Sequence, residues 1–90
     1  MTALRVILFE ADDLWLAQGL DHDICVQATT KGEAMSLFDL TTELEDGEEG
    51  GIERIPCAPK YFFDRWENWA TIHNRQSFKD EMTYEFRVVL

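Results

Sequence analysis

Two groups of carboxylates stand where a metal-dependent reaction would want them. Glu10, Asp12 and Asp13 close one apolar stretch, and Asp21 and Asp23 close the next. Carboxylates that converge can hold Mg²⁺ for hydrolysis or phosphoryl chemistry. His22 lies between Asp21 and Asp23, where it could act as a metal ligand or as half of an acid–base pair. Neither His22 nor His73 belongs to a Ser or Cys arrangement that suggests a nucleophile. Cys25 and Cys57 are far apart, form no C-x-x-C, and read as a reduced, buried pair.

Each of these groups also has a plain structural reading. Asp12-Asp13 and Asp21-His22-Asp23 fall between apolar runs, and aspartates favour turns. A nuclease must also approach a polyanion, and the sequence offers no basic groove for one. The carboxylates are therefore read as turn formers, and no metal or cofactor is expected. A divalent-metal hydrolase using Glu10, Asp12, Asp13, Asp21 or Asp23 stands as the enzymatic alternative.

The elements that would position these residues follow from hydrophobic period. Leu4 to Phe9 is apolar except for Arg5 and is rich in strand formers. Leu14 to Leu20 and Ile24 to Ala28 are further short strands, and short connections make the three an antiparallel meander. Thr30 and Glu33 match a capping box opening a helix, whose Ala34, Leu37, Phe38, Thr41 and Leu44 are expected to dock on the sheet. That helix is expected to stop near Asp46-Gly47, with Gly47 in a left-handed cap.

Glu48 to Gly51 reads as a polar, disorder-prone loop, and Ile52 to Ala58 as an extended segment leading to Pro59. A second, aromatic helix is expected from Pro59, with Phe62, Phe63, Trp66, Trp69, Ala70 and His73 on one side. That aromatic stripe reads as core, as a dimer or partner interface, or as a base-stacking surface; the lack of interleaved basic residues weighs against the last. Asn74 to Glu81 reads as a loop, and Met82 to Leu90 as a final strand alternating Tyr84, Phe86, Val88 and Leu90 against Glu85, Arg87 and Val89. Residues 1–90 thus read as one α+β domain, an antiparallel sheet in the order strand-strand-strand-helix-helix-strand, with helices on one face or end.

Charge bounds the partners. Eighteen acidic side chains against eight basic ones give a net charge of -10, while 46% of residues are apolar, too many for a disordered acidic tail. This field repels nucleic acid and anionic membrane surfaces and attracts basic proteins. Glu43, Glu45, Asp46, Glu48, Glu49 and Glu53 form a run whose default reading is a solvated face, and which would also steer a basic partner. No apolar run spans a bilayer and the start of the chain does not read as a signal peptide, so the expected location is cytoplasmic.

The segment Trp15-Leu16-Ala17-Gln18-Gly19-Leu20-Asp21-His22-Asp23-Ile24, followed by Gln27-Ala28-Thr29-Thr30 and Glu33-Ala34, resembles the N-terminal domain of the HicB antitoxin family. Ala28 replaces the glycine usual before the threonine segment. Ile55-Pro56-Cys57-Ala58-Pro59-Lys60-Tyr61-Phe62 is similar to a proline element of some HicB-like relatives. The resemblance covers about the first half of the chain and the proline segment. It implies a partial ribonuclease-H-like β-β-β-α-β unit, with the aromatic helix as an insertion. It also implies a module without the usual DNA-binding region, since none is expected after Leu90, and a non-catalytic role covering a small basic ribonuclease toxin of the HicA type. The residues expected to meet such a partner are Asp21, His22, Asp23, Glu45, Glu48 and Glu49. A homodimer, or a stand-alone domain serving some other partner, is the remaining possibility.

Overall fold

The alternation of Val6 and Leu8 with Ile7 and Phe9 gives the first strand two apolar faces, so the sheet it joins must be covered on both sides. The computed structural model describes residues 3–90. They form β1 (Leu4–Ala11), β2 (Leu14–Gly19), β3 (Cys25–Ala28), α1 (Lys31–Asp46), a short 3₁₀ turn (Ile52–Arg54), α2 (Lys60–Arg65), β4 (Trp69–Gln76) and β5 (Thr83–Val89). The sheet has five strands in the order β3-β2-β1-β5-β4. It is mixed, because β1 pairs parallel with β5 while the β1–β2, β2–β3 and β4–β5 pairs are antiparallel. The α+β class and the opening meander agree with the sequence, whereas the wholly antiparallel sheet does not.

The β1–β2 turn explains two of the conspicuous carboxylates. Ala11 pairs with Leu14, leaving Asp12 and Asp13 as a two-residue loop at φ 52° and 65°. Both central residues of a type I′ turn need positive φ, which Asp tolerates better than most side chains. At the other end of β2, a Cβ on Gly19 would lie 2.6 Å from the His22 carbonyl oxygen and 3.0 Å from Phe38 Cζ. Glycine is required there for the turn into β3 and for the seating of α1.

The helices lie on opposite faces, which corrects the one-sided arrangement. Ala34 and Phe38 of α1 pack with Val6, Leu8, Ala17, Tyr84 and Phe86. Phe38 meets Tyr84 and Phe86 edge-on, with ring centroids 5.9 Å apart in both pairs. On the other face Trp66, Phe62 and Phe63 pack with Ile7, Phe9, Leu20 and Val89. Arginines brace this second layer: Arg87 lies 3.9 Å from the Trp66 ring centroid and Arg65 lies 4.4 Å from that of Phe9.

At the start of α1, Thr30 Oγ1 accepts the Glu33 amide at 3.1 Å, the first half of the capping box. The reciprocal half is missing, since the Glu33 carboxylate accepts from Thr29 Oγ1 instead. Gly47 ends the helix in a right-handed conformation, φ -76°, and not in a left-handed one. Positive φ falls later, at Gly50 and Gly51. Residues 52–54 form a turn of 3₁₀ helix where an extended segment was expected.

The largest correction concerns the aromatic helix. It stops at Arg65, and Trp69–Gln76 is a strand that includes Ala70, His73 and the first three residues of the expected loop. Thr71 and Ile72 are β-branched, and pairing with β5 satisfies backbone groups that a surface helix end would leave open. His73 therefore sits opposite Phe86 in the sheet and not at a helix end. Leu90 lies beyond β5 and is exposed, so it does not share the inward face of Tyr84 and Phe86.

Candidate functional site

The carboxylates considered for metal chemistry are held apart. Glu10, Asp12 and Asp13 lie at the β1–β2 turn, whereas Asp21 binds Arg5 at the opposite end of β1. The six residue steps between Arg5 and Ala11 span about 20 Å of extended strand, far beyond the reach of one ion. Among the described residues no group of three His, Cys, Asp or Glu side chains is placed to hold a metal ion.

The Asp21-His22-Asp23 loop is committed internally. Asp21 accepts from the Arg5 backbone amide at 2.9 Å and from its guanidinium at 2.7 and 3.1 Å. Burial raises the Asp21 pKa, but the Arg5 hydrogen bonds and charge outweigh it and hold the carboxyl below its ordinary value. His22 Nδ1 lies 2.8 Å from the Ile55 carbonyl oxygen, and Asp23 Oδ1 accepts from Gln18 Nε2 at 2.8 Å. The proline segment runs alongside: the Asp23 amide donates to Pro56 and the Ala58 amide to Leu20.

That segment joins the loop to the end of α1. Arg54, next to Ile55, pairs with the Glu45 carboxylate, and Asp46 Oδ1 accepts the Ile52 amide at 3.1 Å. The six residues expected to meet a partner therefore lie at one end of the molecule. Glu48, Glu49 and Glu53 are exposed there. Glu43 is not part of a solvated face: it is 3% exposed, and burial, with Glu81 and Asp39 nearby, raises its pKa.

Glu43 belongs to an arrangement that the helical period conceals. Beside Ala34 and Phe38, the inward face of α1 carries Asp39, 1% exposed, with Thr42 and Glu43, while Leu37 and Leu44, expected to dock on the sheet, point outward with Leu40. Leu37, Leu40 and Leu44 are 38%, 45% and 62% exposed. Asp39 is the hub beneath them. Its Oδ1 accepts from the Tyr84 hydroxyl and its Oδ2 from the Phe78 amide, each at 3.0 Å, with Arg75 3.9 Å away. Burial, and after it the bond to Asp39, raises the Tyr84 pKa far above its ordinary value, so the phenol stays protonated as the donor. Ser77 Oγ, also buried, accepts the Glu81 and Met82 amides and closes the β4–β5 turn over the helix.

The sequence hides this rotation of the buried face because apolar periodicity assigns leucines to the core by type. The available signal was the partner supply: Tyr84 and Arg75 come from strands that face Asp39 only once β4 and β5 are in place. The outward stripe Leu37-Leu40-Leu44 follows i, i+3, i+7 spacing; Glu33 stands one turn before it on the same side, and Glu48 follows in the exposed segment after the helix ends at Asp46.

Basic side chains are fully engaged. Arg5, Arg54, Lys60, Arg75 and Arg87 are in ion pairs, and Lys31, Arg65 and Lys79 lie over aromatic rings. Those five pairs use five of the eighteen carboxylates, so the acidic surplus remains at the surface. Cys25 and Cys57 are both exposed and free, not buried as expected. Partial burial of the Cys25 thiol and the charge of Asp23 raise its pKa, which disfavours a reactive thiolate.

The cavity under α1, lined by Gly19, His22, Phe38 and Thr42 among others, holds about 10 Å³, the space of one water molecule. An open groove of about 340 Å³ runs along Asn74–Gln76, Thr83 and Tyr84. Among the described residues no helix is long and apolar enough to cross a membrane. Comparison with models of protein families, with curated proteins and with solved structures found no match.

Proposed function

We propose that this chain is a non-catalytic interaction module that grips a basic protein along the outward face of α1 and the acidic end that follows it. The observation that carries this reading is the rotation of the buried face of α1: Ala34 and Phe38 stay inside, but leucines at 37, 40 and 44 face outward while Asp39 and Glu43 are buried. A contiguous apolar stripe bordered by charge is the pattern of a protein-binding surface. Glu33, Glu48 and Glu49 supply the negative border, and the net charge of -10 draws a basic partner in while opposing an acidic one.

The Trp15–Ala34 resemblance makes a HicA-type ribonuclease toxin the first partner to test. The element order supports it, since β1, β2, β3, α1 and β5 follow in the order β-β-β-α-β once α2, the expected insertion, and β4 are set aside. In this reading Asp21, His22 and Asp23 shape the acidic end through their internal bonds, Glu45 acts within its Arg54 pair, and Glu48 and Glu49 meet the partner directly.

Titration calorimetry against any small basic protein encoded beside the gene tests the proposal. Tight binding that weakens with salt, and that falls roughly 30-fold in a Leu40→Glu/Leu44→Glu variant, is the expected result. Binding unaffected by those substitutions would remove α1 from the interface, and absence of a small basic neighbour would remove the toxin version.

A further inference from the structure

The sheet has two free edges, and they are built differently. The β3 edge is four residues long, and shortness is one of the ordinary ways of blunting an edge. The β4 edge is eight residues long and, among the described residues, pairs only with β5. An antiparallel strand with one neighbour leaves about half of its N–H and C=O groups pointing outward. Lysine, proline and carboxylates, which usually discourage pairing, are absent from Trp69–Gln76. The bulge is confined to its first residues, between Trp69 and Thr71. Arg75 does not guard the edge either, because its guanidinium is turned to Ser36 at 3.3 Å and towards Asp39.

Charge selects the occupant. Asn68 to Lys79 is the longest stretch without an acidic residue in a chain that carries eighteen of them. A basic protein finds no opposite charge on this strand, and a polyanion is repelled by the molecule as a whole. A second copy brings the same edge, free of carboxylates and with Arg75 turned to Ser36 and Asp39, and meets the least self-repulsion here. We infer that β4 is a homodimer interface, in which the β4 strands of two copies pair antiparallel about a two-fold axis. Such an interface is isologous, and each strand supplies what the other lacks. It joins two five-stranded sheets into one continuous sheet and lays Trp69, 43% exposed in the single chain, against the far end of the other copy's β4. This surface is separate from α1, so the inference does not depend on the basic partner.

Sedimentation equilibrium across protein concentration, with hydrogen exchange of the β4 amides, tests it. The expected result is a species of twice the 10.5 kDa chain mass whose β4 amides gain protection as it forms. Raising salt screens the mutual repulsion and strengthens the dimer. Asn74→Glu, at an exposed β4 position, places new carboxylates across the interface and weakens the dimer about tenfold. A circular dichroism melt of the variant at low concentration checks that the single chain still folds. A monomer at every concentration up to ~1 mM would overturn the inference. So would a dimer whose β4 amides gain no protection, or one that Asn74→Glu leaves unchanged while the variant folds normally.

Discussion

The outward face of α1 and the free edge of β4 are both surfaces that the single chain leaves unfinished, yet they are opposite in kind. The α1 face offers leucine side chains bordered by glutamates. The β4 edge offers backbone hydrogen-bonding groups on a strand without a carboxylate. The first suits a partner of opposite charge, and the second suits the chain itself. Their responses to salt should therefore have opposite signs. Salt screens attraction at α1 and screens repulsion between two copies at β4. One protein measured at two ionic strengths can thus separate the surfaces without identifying the basic partner's role.

Asp39 is where the comparison can be broken most severely, because it ties the β4–β5 turn to α1. Asp39→Ala removes the acceptor of the Phe78 amide and the Tyr84 hydroxyl and leaves Arg75 without its carboxylate. A loss of about 3–5 kcal/mol is expected in urea unfolding, with faster exchange at Phe78. Both surfaces should suffer together. An effect confined to one of them would show that they are not mechanically joined.

Leu40→Glu/Leu44→Glu is the selective counterpart. Partner affinity should fall roughly 30-fold, about 2 kcal/mol, from lost apolar burial. Dimer formation should not change, and unfolding should shift by no more than about 0.5 kcal/mol per substitution, as at other exposed sites. Asn74→Glu gives the reverse pattern, with a dimer weakened about tenfold and an α1 interface unaffected.

The smallest effects come from two carboxylates of opposite behaviour. The folded pKa of Asp21 is depressed, so its contribution is present above the unfolded value and is lost as pH falls through the folded one. That of Glu43 is raised, so its contribution is present below the unfolded value and is lost as pH rises through the folded one. Glu43→Gln should therefore stabilise the protein at neutral pH, by less than about 1 kcal/mol, and give no gain under acid conditions. Asp21→Asn should destabilise at neutral pH and flatten the loss of stability on acidification. Melting temperatures across pH check both signs.

Much of the scaffold was legible from local chemistry. The meander follows from short β-rich runs and aspartate turns, the Thr30 cap from its spacing to Glu33, and β5 from strict alternation of Tyr84, Phe86 and Val88. These features depend on neighbours in sequence, so the sequence states them directly. The candidate surfaces were less legible. The acidic end was visible in composition, but the commitment of Asp21, His22 and Asp23 to Arg5, Ile55 and Gln18 was not.

By itself the sequence determined the α+β class, the acidic field and the order of the first four elements, because propensity, period and charge are local or additive quantities. Tertiary structure alone decided that Trp69–Gln76 is a strand, since its aromatic spacing fits a helix until β5 offers a hydrogen-bonding partner. It also decided which face of α1 is buried. Asp39 can go inside only where Tyr84 and the Phe78 amide wait to satisfy it, and that leaves Leu37, Leu40 and Leu44 facing outward.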